Sequence, residues 1–413
     1  MAEAGDDEVL AFVKQLACLL FENGQTTERI AVAVQNIGTA LGFGVVMVPR
    51  WGELVIRMDQ GGASRLEMAE VRPAGVDMNR VARAMAVADD IAAGRIDITT
   101  ARTTLAAIAR QPPASTARFA IMAAAGGAAL AVIFGETQLL SLALIALSAG
   151  AGALLRRGLA GISHSLFVQP LSAALLAGII GAFAERLQLS SPLHLVTVCP
   201  CMILVPGPHL LNGVIDLARA RIPLGLARIL YAGLIILMIC TGLLVGLTLG
   251  GEILAVQGAS AAVPLGWDLI AAGVAVSAYG SFFSMPWRTL PTPILIGMLA
   301  HACRWLLLTQ AGASAALAAF VACLLVGVLV TPIADRLRVP FAAFGFASVV
   351  SLIPGVFLFR MAGGLVDFVA LGSKAPAELL GSIIADGATA LFILLAMAFG
   401  LIVPKMVIEH FRA

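Results

Sequence analysis

Ten apolar segments follow one another from about residue 117 to residue 403, and they restrict the fold of this chain more than any other feature. Each is long enough to cross a hydrocarbon core of about 30 Å as an α-helix. Lipid offers no partner to backbone N–H and C=O groups, so such segments form helices that satisfy these groups internally. The sequence therefore predicts a membrane all-α fold with ten transmembrane helices. The predicted helices lie near 117–134, 138–155, 165–187, 194–215, 223–250, 262–283, 290–309, 313–334, 340–362 and 378–403.

Residues 1–113 have a different composition from the rest. The whole chain is 60% hydrophobic and only 12% charged, but this region, little more than a quarter of the chain, holds 14 of the 24 Asp and Glu residues and 10 of the 23 Arg residues. Apolar residues recur with helical spacing at 5–22, 26–41, 77–93 and 98–110, and three short runs at 45–48, 53–58 and 65–71 indicate strands. Residues 1–20 lack the pattern of a secretory signal. We therefore expect a small N-terminal cytosolic α+β domain.

Several functional classes are excluded by what the sequence lacks. A net charge of +2 without a dense basic run argues against nucleic acid as a partner. Residues 1–113 contain no histidine, no P-loop motif and no dinucleotide-binding glycine motif, which argues against ATP-driven transport and against an independent hydrolase. The six cysteines are scattered without metal-ligand spacing. We expect no enzymatic activity, no cofactor and no metal.

Two Pro-Gly pairs interrupt apolar segments at matching places. Pro206-Gly207 lies in the fourth segment and Pro354-Gly355 in the ninth, and an acidic-Arg-Leu element precedes each pair. The shift is 150 positions from Glu185 to Asp335 and 148 from Pro206 to Pro354. A duplicated unit of five segments is odd in number, so its second copy enters the membrane from the opposite side. The pattern predicts two inverted five-helix repeats with broken fourth and ninth helices, in domains 1–113, 114–260 and 261–413.

The charges of the loops indicate an orientation. With a cytosolic N-terminal domain, nine Lys and Arg residues fall in inner loops and three in outer loops. This agrees with the positive-inside rule. We expect a multi-pass protein of the inner (cell) membrane with both termini in the cytosol.

The two breaks predict a binding site. A break frees backbone groups that persist only where protein or a watery cavity surrounds them. The half-helix that follows directs its N–H groups and dipole at an anion, while the carbonyls before the break can hold an ammonium or proton-bearing group. An amino acid or small organic acid suits such a site, whereas a simple proline kink is the alternative. His209 either binds or relays protons, or it is a neutral histidine bonded to a carbonyl. The candidate substrate-binding residues are Pro206, Gly207, His209, Asn212, Ser351, Pro354 and Gly355.

Three ionisable residues are candidates for proton coupling or charge pairing: Asp386, Arg228 and Asp216. Charged groups within membrane segments are costly unless paired or hydrated. Asp386 either exchanges protons or is permanently paired, with Arg228 a candidate partner. His301 and Arg304 are expected to be outward-facing residues at a helix end.

Several stretches resemble the threonine/serine exporter family. The run Pro206-Gly207, Asn212, Asp216, Arg219, Gly225 and Arg228 resembles the family's first signature, and residues 351–355 resemble its second. Residues 22–29 and 79–101 are similar to its soluble lead domain. The resemblance covers nearly the whole chain and implies proton-driven secondary export of threonine and serine by ten membrane helices in one polypeptide.

The predicted function is a proton-coupled exporter of small hydroxy amino acids that works by alternating access around the two breaks. Relatives split into two subunits are associated with dicarboxylate export, so a succinate-like cargo is one alternative. A non-transporting membrane sensor with a cytosolic ligand-binding domain is the other. The expected partners are a small-molecule substrate, protons and membrane lipid, and a homo-oligomer stays open. No ring of repeated charges suggests a channel.

Overall fold

A computed structural model describes residues 5–73, 75–163, 165–189, 195–252, 263–337 and 341–411. The predicted boundary between residues 260 and 261 lies outside these ranges. The described part is mostly helical.

Residues 6–109 form four helices and one antiparallel sheet. The helices are α1 (Asp6–Glu22), α2 (Thr27–Leu41), α3 (Met78–Ala92) and α4 (Ile98–Ala109), and the strands are β1 (Gly44–Arg50), β2 (Glu53–Gln60) and β3 (Ala63–Glu70), in the order β1-β2-β3. The inner face of the sheet carries alternating apolar residues such as Leu54 and Ile56, which pack on the helices with Phe12 and Ile37. The strands lie at the three short runs predicted from the sequence, of which residues 53–58 show alternating polarity.

Eight helices among the described residues are long and apolar enough to cross a membrane, and two bent helix pairs would raise the number to ten. The eight are α5 (Thr116–Ile133), α6 (Leu139–Ala160), α7 (Val168–Arg186), α10 (Ile222–Leu249), α11 (Leu265–Phe282), α12 (Pro291–Thr309), α13 (Ala315–Leu337) and α16 (Ala377–His410). The prediction of a multi-pass helical membrane protein is confirmed.

The two bent pairs contain the Pro-Gly sequences. In the first, α8 (Leu195–Met202) and α9 (Gly207–Ala218) meet at 59°. In the second, α14 (Phe341–Val349) runs into a 3₁₀ turn (Val350–Leu352), which meets α15 (Gly355–Leu371) at 52°. The chain bends there because proline has no N–H and cannot continue the helical hydrogen-bond pattern.

Two sets of helices in the membrane part pack in the same chain order. Helix α7 lies against α10 and α9 against α10 in the first half, and α13 lies against α16 and α15 against α16 in the second. Glycines allow the closest approaches. A Cβ atom on Gly246 would lie 2.9 Å from the Cα of Gly178, and one on Gly400 would lie 2.6 Å from the carbonyl oxygen of Phe320. Small residues at these contacts let the backbones approach closely, as in other membrane helices.

Candidate functional site

The two helix breaks lie in direct contact. A Cβ atom added to Gly207 would clash with Ile353, and one added to Gly355 would lie 3.2 Å from the Cγ of Met202. Each Pro-Gly pair therefore lies against the residues that precede the other.

Both breaks have the same backbone conformation. Pro206 has φ −80° and ψ 63°, and Pro354 has φ −76° and ψ 53°. In each case the following glycine donates its N–H to the carbonyl two residues earlier, Gly207 to Val205 at 2.8 Å and Gly355 to Ile353 at 2.7 Å. These are inverse γ-turns, each centred on a proline.

The γ-turn changes which backbone groups the first break offers. Gly207 uses its N–H in the turn, Pro208 has none, and His209 donates to the oxygen of Pro206 at 3.1 Å. The expected free N–H groups are therefore missing at the start of α9. Before the break, the carbonyls of Ile203 and Leu204 are left without a donor among the described residues, because the residues four positions later are Gly207 and Pro208. At the second break, no backbone acceptor among the described residues takes the N–H of Val356 or Phe357.

A cavity of about 200 Å³ lies beside the first break. Its wall includes Pro206, Pro208 and His209 of the break and Gly75 and Val76 of the N-terminal region. Ile203, Leu204, Tyr231 and Tyr279 also line it. A second cavity of about 10 Å³ lies where the breaks cross and is lined by Val205, Tyr279, Ser351, Ile353 and Gly355. That volume admits about one water molecule, so of these two cavities the larger is the one with room for a metabolite.

Arg156 of α6 is the cation on the wall of the larger cavity. Its Nε and Nη1 atoms are buried and have no hydrogen-bond partner among the described residues. The guanidinium lies over the ring of Phe282, 4.9 Å from its centroid. A buried guanidinium with unused donors is costly unless a ligand pairs with it, and its planar fork suits a carboxylate. Sequence reasoning counted Arg156 only as an inner-loop charge.

The predicted site residues of the first break separate into two groups. His209 lies on the cavity wall and makes edge contacts with Trp51 and Tyr231, at centroid distances of 6.3 and 5.1 Å. Trp51 reaches it from the two-residue turn between β1 and β2. Asn212 is not among the residues that line the cavity, and its Nδ2 donates to the carbonyl of Gly24 at 3.3 Å. Trp51 therefore brings the N-terminal region against two residues of the cavity wall, His209 and Tyr231, whereas Asn212 contacts that region at Gly24.

Asp216 and Arg228 form an ion pair between α9 and α10. Arg228 Nε lies 3.1 Å from Asp216 Oδ2, and both side chains are almost completely buried. Thr27 donates its hydroxyl to the same carboxylate oxygen at 3.1 Å, and Arg228 lies over the ring of Phe21 at 5.0 Å. Residues of the N-terminal region thus complete the surroundings of both charges.

Glu28 joins the N-terminal region to the end of α9. Its Oε2 lies 2.6 Å from Arg219 Nη1 and 2.6 Å from Arg221 Nη2. Burial alone would raise the pKa of Glu28, but the hydrogen bonds and charges of the two arginines outweigh it and hold the pKa below its ordinary value of 4.5. A lowered pKa means that the contact contributes stability above pH 4.5 and loses it as the pH falls through the lowered value.

Replacing Glu28 with glutamine should therefore loosen this contact at neutral pH. A partly exposed pair contributes up to about 1 kcal/mol, so amide hydrogen exchange of residues 24–30 should become roughly fivefold faster. The exchange rate of the wild type should approach that of the variant only well below pH 4.5, where Glu28 gains a proton. Glu67→Gln is the control, because Glu67 pairs with Lys14 inside the N-terminal region. Equal exchange of wild type and Glu28→Gln at neutral pH would contradict this role.

Asp386 pairs with Arg360 instead of Arg228. Arg360 Nε of α15 lies 3.1 Å from Asp386 Oδ2 of α16. Each half of the membrane part therefore has an Arg–Asp pair between the half-helix after its break and the helix that follows. The acid lies on the half-helix α9 in the first pair and on the following helix α16 in the second. The sequence left open a pair between Asp386 and Arg228, but the two residues belong to different ion pairs.

His301 is buried, and the expectation that it faces outward is wrong. Only 1% of the residue is exposed, its Nδ1 lies 3.2 Å from Asp268 Oδ2, and its Nε2 lies 3.0 Å from Ser351 Oγ. Ser351 was predicted as a site residue, but Asp268 was not considered. The signal that could have found this cluster is an acid and a histidine inside apolar segments. Among the described residues, no group of three or more His, Cys, Asp or Glu side chains is placed to hold a metal.

Two family models match the sequence. One, described as "Putative threonine/serine exporter", matches residues 11–250. The other, described as "Threonine/Serine exporter, ThrE", matches residues 268–407. The comparisons with curated proteins and with solved structures each found no match. The similarity therefore extends over the N-terminal region and both halves of the membrane part.

Proposed function

This chain belongs to the threonine/serine exporter family, and we propose that it exports threonine and serine by proton-coupled secondary transport. Membership makes it a transporter and not an enzyme. The single observation that carries the proposal beyond membership is the cavity of about 200 Å³ beside the first helix break, with Arg156 on its wall.

The proposed architecture is a pair of inverted five-helix repeats. The same γ-turn at Pro206 and Pro354 and the same pairs of packed helices in the two halves support it. The two family matches divide between residues 250 and 268, which supports a boundary near residue 260. The excess of Lys and Arg in the predicted inner loops supports an inner-membrane protein with cytosolic termini.

The cavity suits the two charges of an amino acid. Its carboxylate would pair with the guanidinium of Arg156 and accept from one of its unused donors, and its ammonium group would bond to the carbonyls of Ile203 and Leu204. His209 and Tyr231 would lie near the side chain. Among the described lining residues Arg156 is the only Arg or Lys, whereas a dicarboxylate would bring two negative charges. These features favour a zwitterion over succinate.

The N-terminal region would serve as the cytosolic gate. Gly75 and Val76 line the cavity, Trp51 contacts His209 and Tyr231, and Glu28 holds the arginines at the end of α9. Opening toward the cytosol requires these contacts to separate. Alternating access would then combine their release with movement of the two crossed breaks.

Transport by proteoliposomes tests the function. Vesicles with an acidic lumen should accumulate labelled threonine, because protons that leave the lumen drive threonine into it by antiport. Unlabelled serine should compete and succinate should not. Accumulation that does not depend on the pH gradient would contradict proton coupling. Competition by succinate would favour a dicarboxylate cargo. Absence of any transport would favour a sensor. Protein-free vesicles give the background.

A further inference from the structure

His301 joins two charged or polar partners on two other elements. Asp268 lies in the first turn of α11, His301 in α12, and Ser351 in the 3₁₀ turn directly before the second break. The exposed fractions of Asp268, His301 and Ser351 are 5%, 1% and 7%. The cluster is separate from the larger cavity, whose wall includes none of the three.

Ser351 connects this cluster to the crossing of the breaks. It lines the small cavity together with Val205 and Tyr279, and those two residues also line the larger cavity. Tyr279 donates its hydroxyl to the carbonyl of Met202, three residues before Val205, at 3.3 Å. A change at Ser351 therefore acts on the wall that separates the two cavities.

The hydrogen bonds of His301 depend on its charge. A carboxylate accepts only, so the nitrogen that faces Asp268 carries a proton in both states. In neutral His301, Nε2 is an acceptor and Ser351 must donate its hydroxyl proton to it. When Nε2 gains a proton, it becomes a donor, and Ser351 must turn its O–H elsewhere. One proton thus reverses the hydrogen bond that Ser351 makes and changes the charge of the Asp268–His301 pair from −1 to zero.

The other charges around the cluster are few among the described residues. Arg304 lies one turn further along α12 and interacts electrostatically with Asp268. Cys323 of α13 lies close enough to interact with Arg304, and α14 contributes no titratable side chain. Without a proton on Nε2, Arg304 is the cation that offsets Asp268.

We propose that Asp268 and His301 bind the transported proton and that Ser351 transmits its presence to the second break. This rests on the proposed export function. Asp268 and His301 would hold the proton, and Ser351 would be the positioning residue. Ser351 would accept a hydrogen bond from His301 in one state and donate to it in the other, and this change would reach the substrate cavity through Val205 and Tyr279, which line both cavities.

Two transport modes separate coupling from substrate binding. Exchange of labelled for unlabelled threonine across the vesicle membrane needs substrate binding but no net proton movement. Accumulation driven by an acidic lumen needs both. His301→Gln, which keeps hydrogen bonding but does not titrate, should retain exchange within about threefold and lose accumulation by at least roughly tenfold. Ser351→Ala should uncouple in the same way, and Ser351→Thr should restore accumulation.

The control is Ser348→Ala, because Ser348 is also buried but donates to the carbonyl of Pro293. Wild-type accumulation by His301→Gln would overturn the proposal. So would loss of exchange in a variant that keeps the wild-type unfolding temperature, since His301 would then serve substrate binding. If His301→Gln fails to fold, Asp268→Asn is tested in its place, with the same expected exchange and accumulation. Failure of the wild type to transport threonine would instead reject the export function itself.

Discussion

Replacing Arg156 with glutamine is expected to weaken threonine binding by roughly 10- to 100-fold, because hydrogen bonds to charged groups contribute about 1.5–3 kcal/mol. The physical reason is the buried guanidinium on the cavity wall, whose Nε and Nη1 have no partner among the described residues. A carboxylate that accepts from either of these donors also meets the positive charge of the guanidinium, which makes the hydrogen bond a strong one. Glutamine keeps a donor but not the charge or the fork. The measurement is the concentration of threonine that gives half-maximal exchange in proteoliposomes.

The neighbouring arginine provides a matched control. Arg157 donates to the carbonyl of Ala114 at 2.9 Å, lies over the ring of Phe119, and is not among the residues that line the cavity. Arg157→Gln should therefore leave the half-maximal concentration within about twofold of wild type. The half-maximal concentration of Arg156→Lys should lie between those of wild type and Arg156→Gln, since lysine keeps the charge without the planar fork. Equal effects of the two glutamine variants would show that Arg156 does not hold the substrate.

Asp216→Asn is expected to destabilise the protein by about 3–5 kcal/mol, the usual result of removing one partner from a buried ion pair. Arg228 is fully buried, and the carboxylate of Asp216 is its ion-pair partner 3.1 Å away. The cost therefore comes from a guanidinium left in the interior without its counter-charge. The measurement is the midpoint of thermal unfolding in detergent.

A second substitution separates the loss of the counter-charge from other destabilising effects of Asp216→Asn. Asp216→Asn combined with Arg228→Met removes both charges and should recover most of the lost stability, because no unpaired charge remains. Arg65→Met, which removes an exposed arginine paired with Asp6 and Asp7, should change the midpoint little. If the double variant unfolds at a lower temperature than Asp216→Asn, the ion pair is not the cause.

The two helix breaks show what can be predicted from the local sequence. Pro206-Gly207 and Pro354-Gly355 mark the interruptions from the sequence alone, because a proline removes a hydrogen bond wherever it lies. The γ-turn does not follow from the same reasoning, and it removes one half of the expectation. With Gly207 donating to Val205 and Pro208 unable to donate, the first break lacks the expected free N–H groups and has the expected carbonyls before it.

The charge partners show where sequence reasoning stops. Asp216, Arg228, Arg360 and Asp386 were all visible as ionisable residues in or near apolar segments, but the sequence did not say which acid meets which base. His301 was placed at an outward-facing helix end, although it bonds Asp268 and Ser351 from two other elements. Arg156 was visible only as a loop charge. Each of these roles depends on the direction in which a helix turns its side chains.

The sequence by itself determined the membrane-spanning class, the strands near residues 45–70 and the two points of interruption, because these depend on length, local polarity and proline. Only the tertiary structure decided which residues line the cavity and which charges pair. The physical reason is that lipid and protein interior are equally apolar, so a membrane helix that is apolar on all sides carries little pattern to show its inner face. That face is chosen by close packing, at contacts such as Gly178 against Gly246.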